Sequence, residues 1–286
     1  MPAIEAAGPN AAQIAYWNNA AGPSWVAMQD QIDRQLRPLG LEAMDRLAPA
    51  PGEVVLDIGC GCGSTTLDLL WRVGPSGRVL AVDISEPMLG VAESRARAAG
   101  HANIEFRLAD AQTADLPAGA ADAIFSRFGV MFFADPSAAF ANLRKALHPG
   151  GRLGFVCWQA MALNPWMGLP FQAAVAAYPS LAPTSAPDPT APGPFAFADG
   201  ERIRGILADA GFSDISVSSH EALISLGDLE ATMVAAVRLG PLAAAMRDNP
   251  DLQTGITAAV RAEMARHDGP GGVRLGSATW MVTAIA

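Results

Sequence analysis

Charge is scarce in this chain. Only 16% of its 286 residues are charged, and of the 19 basic residues a single one, Lys145, is a lysine. The arginines are scattered and the formal net charge is −9, so no basic surface suited to a nucleic-acid backbone emerges. Long apolar runs are also missing. Nothing approaches the roughly 18 residues that a membrane-spanning helix needs, and the opening MPAIEAAGPN lacks a basic stretch followed by an apolar core. These absences predict a cytoplasmic protein without a nucleic-acid partner or a membrane span. Cysteine is rare too: Cys60, Cys62 and Cys157 make an odd number, which argues against a disulfide framework.

What the chain does have is apolar surface. At 51% hydrophobic residues, much of it alanine, the composition is globular and suits helices. Single cores stop growing near about 250 to 300 residues, so one core with insertions is expected.

Between Val54 and Trp158 short β-branched or aromatic runs (VVLDI, RVLAVDI, IEFRLAD, AIFSRF, RLGFVCW) alternate with alanine-rich stretches. This rhythm predicts βαβ units and a parallel sheet covered on both faces. Ser85, with Pro87 behind it and Gly100 beyond the end, reads as a helix cap, as does Asp135 with Pro136; the second helix should stop before His148-Pro149-Gly150-Gly151. Four regions follow. Residues 1–50 form an N-terminal helical cap with Tyr16, Trp17 and Trp25. Residues 51–158 form the alternating core, and 159–198 an insertion whose proline-rich part, 179–194, reads as a surface connection or a lid. Residues 199–286 complete the same sheet: Asp199 caps a helix closed by Gly211, DISVSSHEALISL is a strand, 228–266 is a helical insertion, and SATWMVTAIA is the final strand.

The stretch VLDIGCGCGS, residues 55–64, turns from strand into helix, where backbone N–H groups and the positive end of the helix dipole face outward. Glycine there lets a ligand approach the backbone, and Asp83, at the end of the next strand, is placed to accept bonds from ribose hydroxyls. A dinucleotide fingerprint fails in both registers, because Ser64 and Thr66 stand where its last glycine belongs.

Asp57-x-Gly59-x-Gly61-x-Gly63 instead resembles the class I S-adenosylmethionine-dependent methyltransferases, in the branch of the ubiquinone and menaquinone biosynthesis C-methyltransferases and related small-molecule enzymes. The resemblance covers residues 50–158 well and the C-terminal strands loosely. It implies a Rossmann-like three-layer α/β sandwich, with a mostly parallel seven-stranded sheet whose final strand is antiparallel. The implied cofactor is S-adenosyl-L-methionine, with S-adenosyl-L-homocysteine as product. It further implies that Asp110, in Leu108-Ala109-Asp110-Ala111-Gln112, takes the adenine amino hydrogen while the Ala111 N–H meets the ring. Ile84 and Met88 would pack on the adenine faces, a Ser126 carbonyl would meet the methionine ammonium, and Asp57 would support loop and ammonium. Gly59, Cys60, Gly61, Gly63 and Gln112 complete the expected cofactor set.

Cys60 and Cys62 then read as small residues of a cofactor loop: zinc needs a further pair of ligands and Cys157 is the only other cysteine. An arsenic-binding thiol set is the rival. Methyl transfer from a sulfonium is an in-line displacement that positioning alone can drive, so no triad is required. His148, His101 and His267 read as structural or surface residues. His220 and Arg127 are weak candidates for a catalytic role, Arg127 being alternatively paired with an acid such as Asp135. Tyr16, Trp17, Arg127, Met131 and Trp158 are the expected substrate contacts, joined by Trp25 and Trp166 as walls, for a small apolar or aromatic acceptor. Two alternatives stay open, a nicotinamide-dependent oxidoreductase and a non-catalytic S-adenosylmethionine-binding module. The 228–266 insertion offers a lid or the face of a homodimer.

Overall fold

VVLDI becomes β1 (Val54–Ile58), buried on both faces because strands lie on either side of it and helices cover it above and below. In the computed structural model, which describes residues 4–185, 188–225, 227–238 and 240–286, β1 is an interior strand of a sheet also comprising β2 (Arg78–Asp83), β3 (Ile104–Leu108), β4 (Ala121–Arg127), β5 (Leu147–Trp158), β6 (Ser213–Ser225) and β7 (Arg274–Ile285). Their order is β3-β2-β1-β4-β5-β7-β6, and β7 runs antiparallel to both of its neighbours, so the seven-stranded, mostly parallel sheet expected from the resemblance is the one observed. The first three residues of the N-terminal cap, Ala186 and Pro187 of the proline-rich connection, Leu226 of the expected strand and Leu239 of the helical insertion lie outside the described residues.

The N-terminal region folds as α1 (Ala11–Asn19), α2 (Ala21–Ala27) and α3 (Gln29–Leu47). On α3, Ile32, Leu36, Leu39, Ala43, Met44 and Leu47 recur at helical spacing and are all buried. They join the main core with Phe125, Phe140 and Phe155. Between the strands run α4 (Ser64–Val73), α5 (Glu86–Ala98) and α6 (Pro136–Ala146). Asp135 caps α6, its carboxylate accepting the Ala138 N–H at 2.9 Å. Ser85 holds the cap position of α5 without capping it, since its hydroxyl donates to the Trp17 carbonyl at 2.9 Å and ties α1 to the strand ends. The strand expected from AIFSRF stops at Arg127: Phe128 leaves it at a φ of 62°, and Val130–Phe132 form a single 3-10 turn.

Two segments far apart in the sequence merge into one helical layer. α7 (Pro165–Ala177) packs with α9 (Leu229–Ala236), α10 (Gly240–Asp248) and α11 (Gln253–Ala265), and Ala174, Met233, Leu242, Ile256, Val260 and Met264 form a second core between them. α8 (Gly200–Asp209) begins at Asp199, whose carboxylate accepts the Glu201 N–H at 2.9 Å. Among the described residues no helix is long and apolar enough to cross a membrane.

Candidate functional site

The loop between β1 and α4 is shaped by glycines in the left-handed region. Gly59 sits at φ 68°, and a Cβ there would come within 2.9 Å of the Gly129 Cα; Gly63 sits at φ 82°, where a Cβ would meet that of Ala92 at 2.9 Å. Any larger residue would add backbone strain to a clash. Gly59, Cys60 and Gly61 therefore line a cavity at the carboxyl edge of the sheet.

Asp83 ends β2. One carboxylate oxygen accepts the Gly61 N–H at 2.7 Å and the other the Ser85 N–H at 2.7 Å. Burial raises its pKa from the ordinary value, while these backbone bonds pull the other way. Asp110, just past β3, accepts from Nδ2 of Asn10 at 2.8 Å and from the Gln112 N–H at 2.9 Å. Sequence reasoning missed Asn10: nothing marks it until α1 folds back and its own Oδ1 receives the Ala134 N–H at 2.7 Å. Asn18 repeats the device, donating to the Ile84 carbonyl at 2.8 Å and accepting from the Glu86 N–H at 2.9 Å.

Asp57 lies beneath the loop, fully buried. Its Oδ2 accepts from Thr65 at 2.7 Å and Thr66 at 2.6 Å, while Oδ1 has no partner among the described residues. Burial pushes its pKa up to about 6, against the two threonine bonds and the Arg127 charge. The Ser126 hydroxyl on β4 is likewise buried and unpartnered. Burial also holds the Cys60 thiol well above its ordinary pKa and pushes Cys62 up to about 12, so neither is a thiolate near neutral pH. Cys60 packs against Ala81 and Leu89.

The cavity has a volume of about 390 Å³, within the range of small-molecule sites. Of the residues expected at the cofactor, Gly59, Cys60, Gly61, Asp83, Ile84, Met88, Asp110 and Ala111 line it; Asp57, Gly63, Gln112 and Ser126 lie behind that wall. Gln112 instead accepts the Asp135 N–H at 3.1 Å and braces the start of α6. All five expected substrate contacts, Tyr16, Trp17, Arg127, Met131 and Trp158, line the same cavity. Trp17 meets Trp25 and Phe132 edge to face, with centroids 5.7 and 5.1 Å apart, and Phe128 stacks on Trp158 at 4.1 Å. The ring of Phe128 stacks on Trp158 from a residue with left-handed backbone, φ 62°.

Two candidates sit differently from expectation. His220 is on the edge strand β6, opposite Thr279 of β7, and is not among the residues lining the cavity. Arg127 does not pair with Asp135; it donates to Asp33 of α3 at 3.1 Å, and Asp33 also receives Arg95 at 3.0 Å. The aliphatic stem of Arg127 runs over Gly40, where a Cβ would come within 2.9 Å of its Cδ. The insertion 228–266 contributes wall residues no sequence signal marked, Arg238, Gly240, Ala243, Ala244 and Arg247, beside Trp166 and Met167 of α7. Gln35 of α3 joins them, 3% exposed with Nε2 unpartnered among the described residues.

A family model described as a methyltransferase domain matches residues 55–151, a span that contains the glycine loop, Asp83 and Asp110. The chain is 35% identical over 118 residues to a nocamycin O-methyltransferase of Saccharothrix syringae, covering 41% of this chain and 42% of that protein. Over 183 residues it is 30% identical to a ubiquinone/menaquinone biosynthesis C-methyltransferase of Bordetella parapertussis, covering 59% of this chain and 67% of that one. It spans about half the length of the curated relatives it matches. Its fold is that of the YcgJ protein from Bacillus subtilis, at 17% identity and a TM-score of 0.55 over 87% of this chain and 98% of the other. With the domain match framing the cavity and two thirds of a C-methyltransferase covered at this identity, the chain belongs to the class I S-adenosylmethionine-dependent methyltransferase family.

Proposed function

We propose that this protein moves the methyl group of S-adenosylmethionine to a small, apolar or aromatic acceptor. The observation that carries the reading is the convergence of three acid-bearing strand ends, β1 with Asp57, β2 with Asp83 and β3 with Asp110, beside one cavity whose other walls carry nine aromatic side chains.

The residues present fit the cofactor. Asp57 Oδ1 is a buried acceptor without a donor among the described residues, and it lies under a loop whose glycines leave no room for a Cβ, as an ammonium group at that end would require. Asp83 would hold the ribose hydroxyls, Asp110 the adenine amino group, and Ile84 with Met88 the ring faces. Ser126 follows Phe125, the residue opposite Asp57 on the neighbouring strand, and its hydroxyl is also without a partner among the described residues. When bound, S-adenosylmethionine supplies a methyl group already activated by its sulfonium, and the product is S-adenosylhomocysteine.

The chain's own residues are then left with positioning. Trp17, Trp25, Phe128, Trp158 and Trp166 would exclude water and hold a ring-bearing acceptor, with its nucleophilic atom about 3 to 3.5 Å from the methyl carbon. Arg127 positions α3 through Asp33, and no general base is assigned. Relatives named for O-methylation of nocamycin and for C-methylation in ubiquinone and menaquinone biosynthesis support an acceptor of this size and apolarity, and leave the atom methylated to experiment.

The test is calorimetric titration with S-adenosylmethionine, S-adenosylhomocysteine and NADH, followed by acceptor-dependent S-adenosylhomocysteine formation over a set of phenols, quinones and enols. Micromolar binding of both adenosyl ligands, none of NADH, and turnover with at least one acceptor is expected. Binding without turnover would favour a non-catalytic module, and binding of NADH alone overturns the reading.

A further inference from the structure

The charged groups that line the cavity fall into two sets. Asp33, Asp83 and Asp110 are already engaged: Asp33 by Arg95 and Arg127, Asp83 by two backbone N–H groups, and Asp110 by Asn10 and the Gln112 N–H. Arg127 is engaged through Asp33. The other set is Arg238, which follows α9, and Arg247 of α10. Both are exposed, and neither has an ion-pair or hydrogen-bond partner among the described residues. Two free guanidinium groups beside an apolar cavity stand out in a chain of net charge −9, whose cavity acids are all occupied.

A second observation points to the same ligand. Gln35 lines this cavity, is 3% exposed, and leaves Nε2 without an acceptor. A buried donor left unpaired is costly unless a ligand satisfies it. The unengaged side-chain groups that line the cavity are thus donors, and what answers them is a molecule rich in oxygen acceptors. Guanidinium forks match the planar two-oxygen geometry of a carboxylate or similar oxyanion.

We propose that the methyl acceptor is an acidic molecule with an apolar ring body: Arg238 and Arg247 hold its oxyanion, and Gln35 donates to an oxygen on the body. The inference rests on the methyltransferase reading above and specifies its substrate class. The aromatic walls take the rings, while the two arginines select the charge and orient the molecule end-on.

Three naphthalene probes separate the contributions: 6-hydroxy-2-naphthoate carries both features, 2-naphthol lacks the carboxylate, and 2-naphthoate lacks the hydroxyl. Their binding to the full chain saturated with S-adenosylhomocysteine is measured by fluorescence and calorimetry. 6-Hydroxy-2-naphthoate should bind one to one and at least tenfold more tightly than 2-naphthol. The double variant Arg238→Ala, Arg247→Ala should bring the two within about twofold of each other and leave S-adenosylhomocysteine affinity unchanged. Gln35→Met should weaken 6-hydroxy-2-naphthoate threefold or more without affecting 2-naphthoate. Equal binding of acid and naphthol, a preference that survives loss of both arginines, or no one-to-one binding of any probe overturns the proposal. Failure to bind S-adenosylhomocysteine is a different result, and it strikes the cofactor reading on which the proposal stands.

Discussion

Asn10 of the N-terminal segment donates to Oδ1 of Asp110, 100 residues further along the chain, at 2.8 Å. The contact fixes the carboxylate at the end of β3 from outside the sheet, and the Ala134 N–H fixes Asn10 in turn. The helical cap is therefore part of the wall of the cavity beside Asp110. Asn10→Ala removes both bonds, and should cost about 1 to 2 kcal/mol of stability and weaken S-adenosylhomocysteine binding three- to tenfold. Thermal unfolding with and without ligand measures both effects; an unchanged affinity would show that Asp110 needs no outside support.

Asp83→Ala should weaken S-adenosylmethionine binding by about 1 to 3 kcal/mol through lost ribose hydrogen bonds. It also strips the Gly61 and Ser85 N–H groups of their acceptor, so the loop itself should loosen. Asp83→Asn keeps an acceptor and should recover part of the affinity. Calorimetry on both variants decides, and wild-type affinity in Asp83→Ala sinks the ribose assignment.

The role proposed for Asp57 predicts that cofactor binding depends on pH. Its pKa is raised to about 6 by burial, so the folded protein binds a proton there more tightly than the unfolded chain does. Stability from this group is accordingly greatest below the ordinary carboxylate pKa and falls as pH rises toward 6, by about 3 kcal/mol in all. An ammonium ligand reverses that cost by favouring the ionised form. S-Adenosylhomocysteine affinity should therefore rise between pH 5 and pH 7, with proton release detectable near pH 6 by calorimetry in buffers of different ionisation enthalpy. Asp57→Asn should abolish the pH dependence, and a flat wild-type profile would refute the ammonium role.

Replacing Cys60 and Cys62 together by alanine should leave methyl transfer mostly intact, since both thiols are buried and protonated. In the native protein they should resist iodoacetamide at pH 8 and react on unfolding. A folded, cofactor-binding double variant without activity would restore a chemical role for the pair.

Gly63→Ala should destabilise the loop by about 1 to 3 kcal/mol, because it combines a left-handed φ of 82° with a Cβ contact at 2.9 Å to Ala92. Urea unfolding measures the loss. Gly90→Ala, on the exposed face of α5 where a Cβ meets nothing within 4 Å, is the control and should stabilise by about 0.5 to 1 kcal/mol.

The sheet and the glycine loop that edges the cavity were legible because they are local. Apolar runs of five to seven residues, a glycine loop that only one backbone path satisfies, and aspartates at strand ends all keep a fixed spacing along the chain. Caps such as Asp135 and Asp199 were readable for the same reason: donor and acceptor lie within three residues. Ser85 has the same local signal, but its hydroxyl went to Trp17, 68 residues away.

The amino-acid sequence by itself therefore determined the strand rhythm, the glycine loop, the acids around it and the family. Tertiary structure alone decided what closes the cavity. Asn10 with Asp110, Arg127 with Asp33, and the packing of α7 against α9, α10 and α11 join segments tens to a hundred residues apart. Their partners carry no spacing signature, because each contact is set by how helices pack over a sheet edge. For the same reason Gln35, Arg238 and Arg247 look like ordinary helix residues in the sequence and become neighbours of one cavity only in the fold.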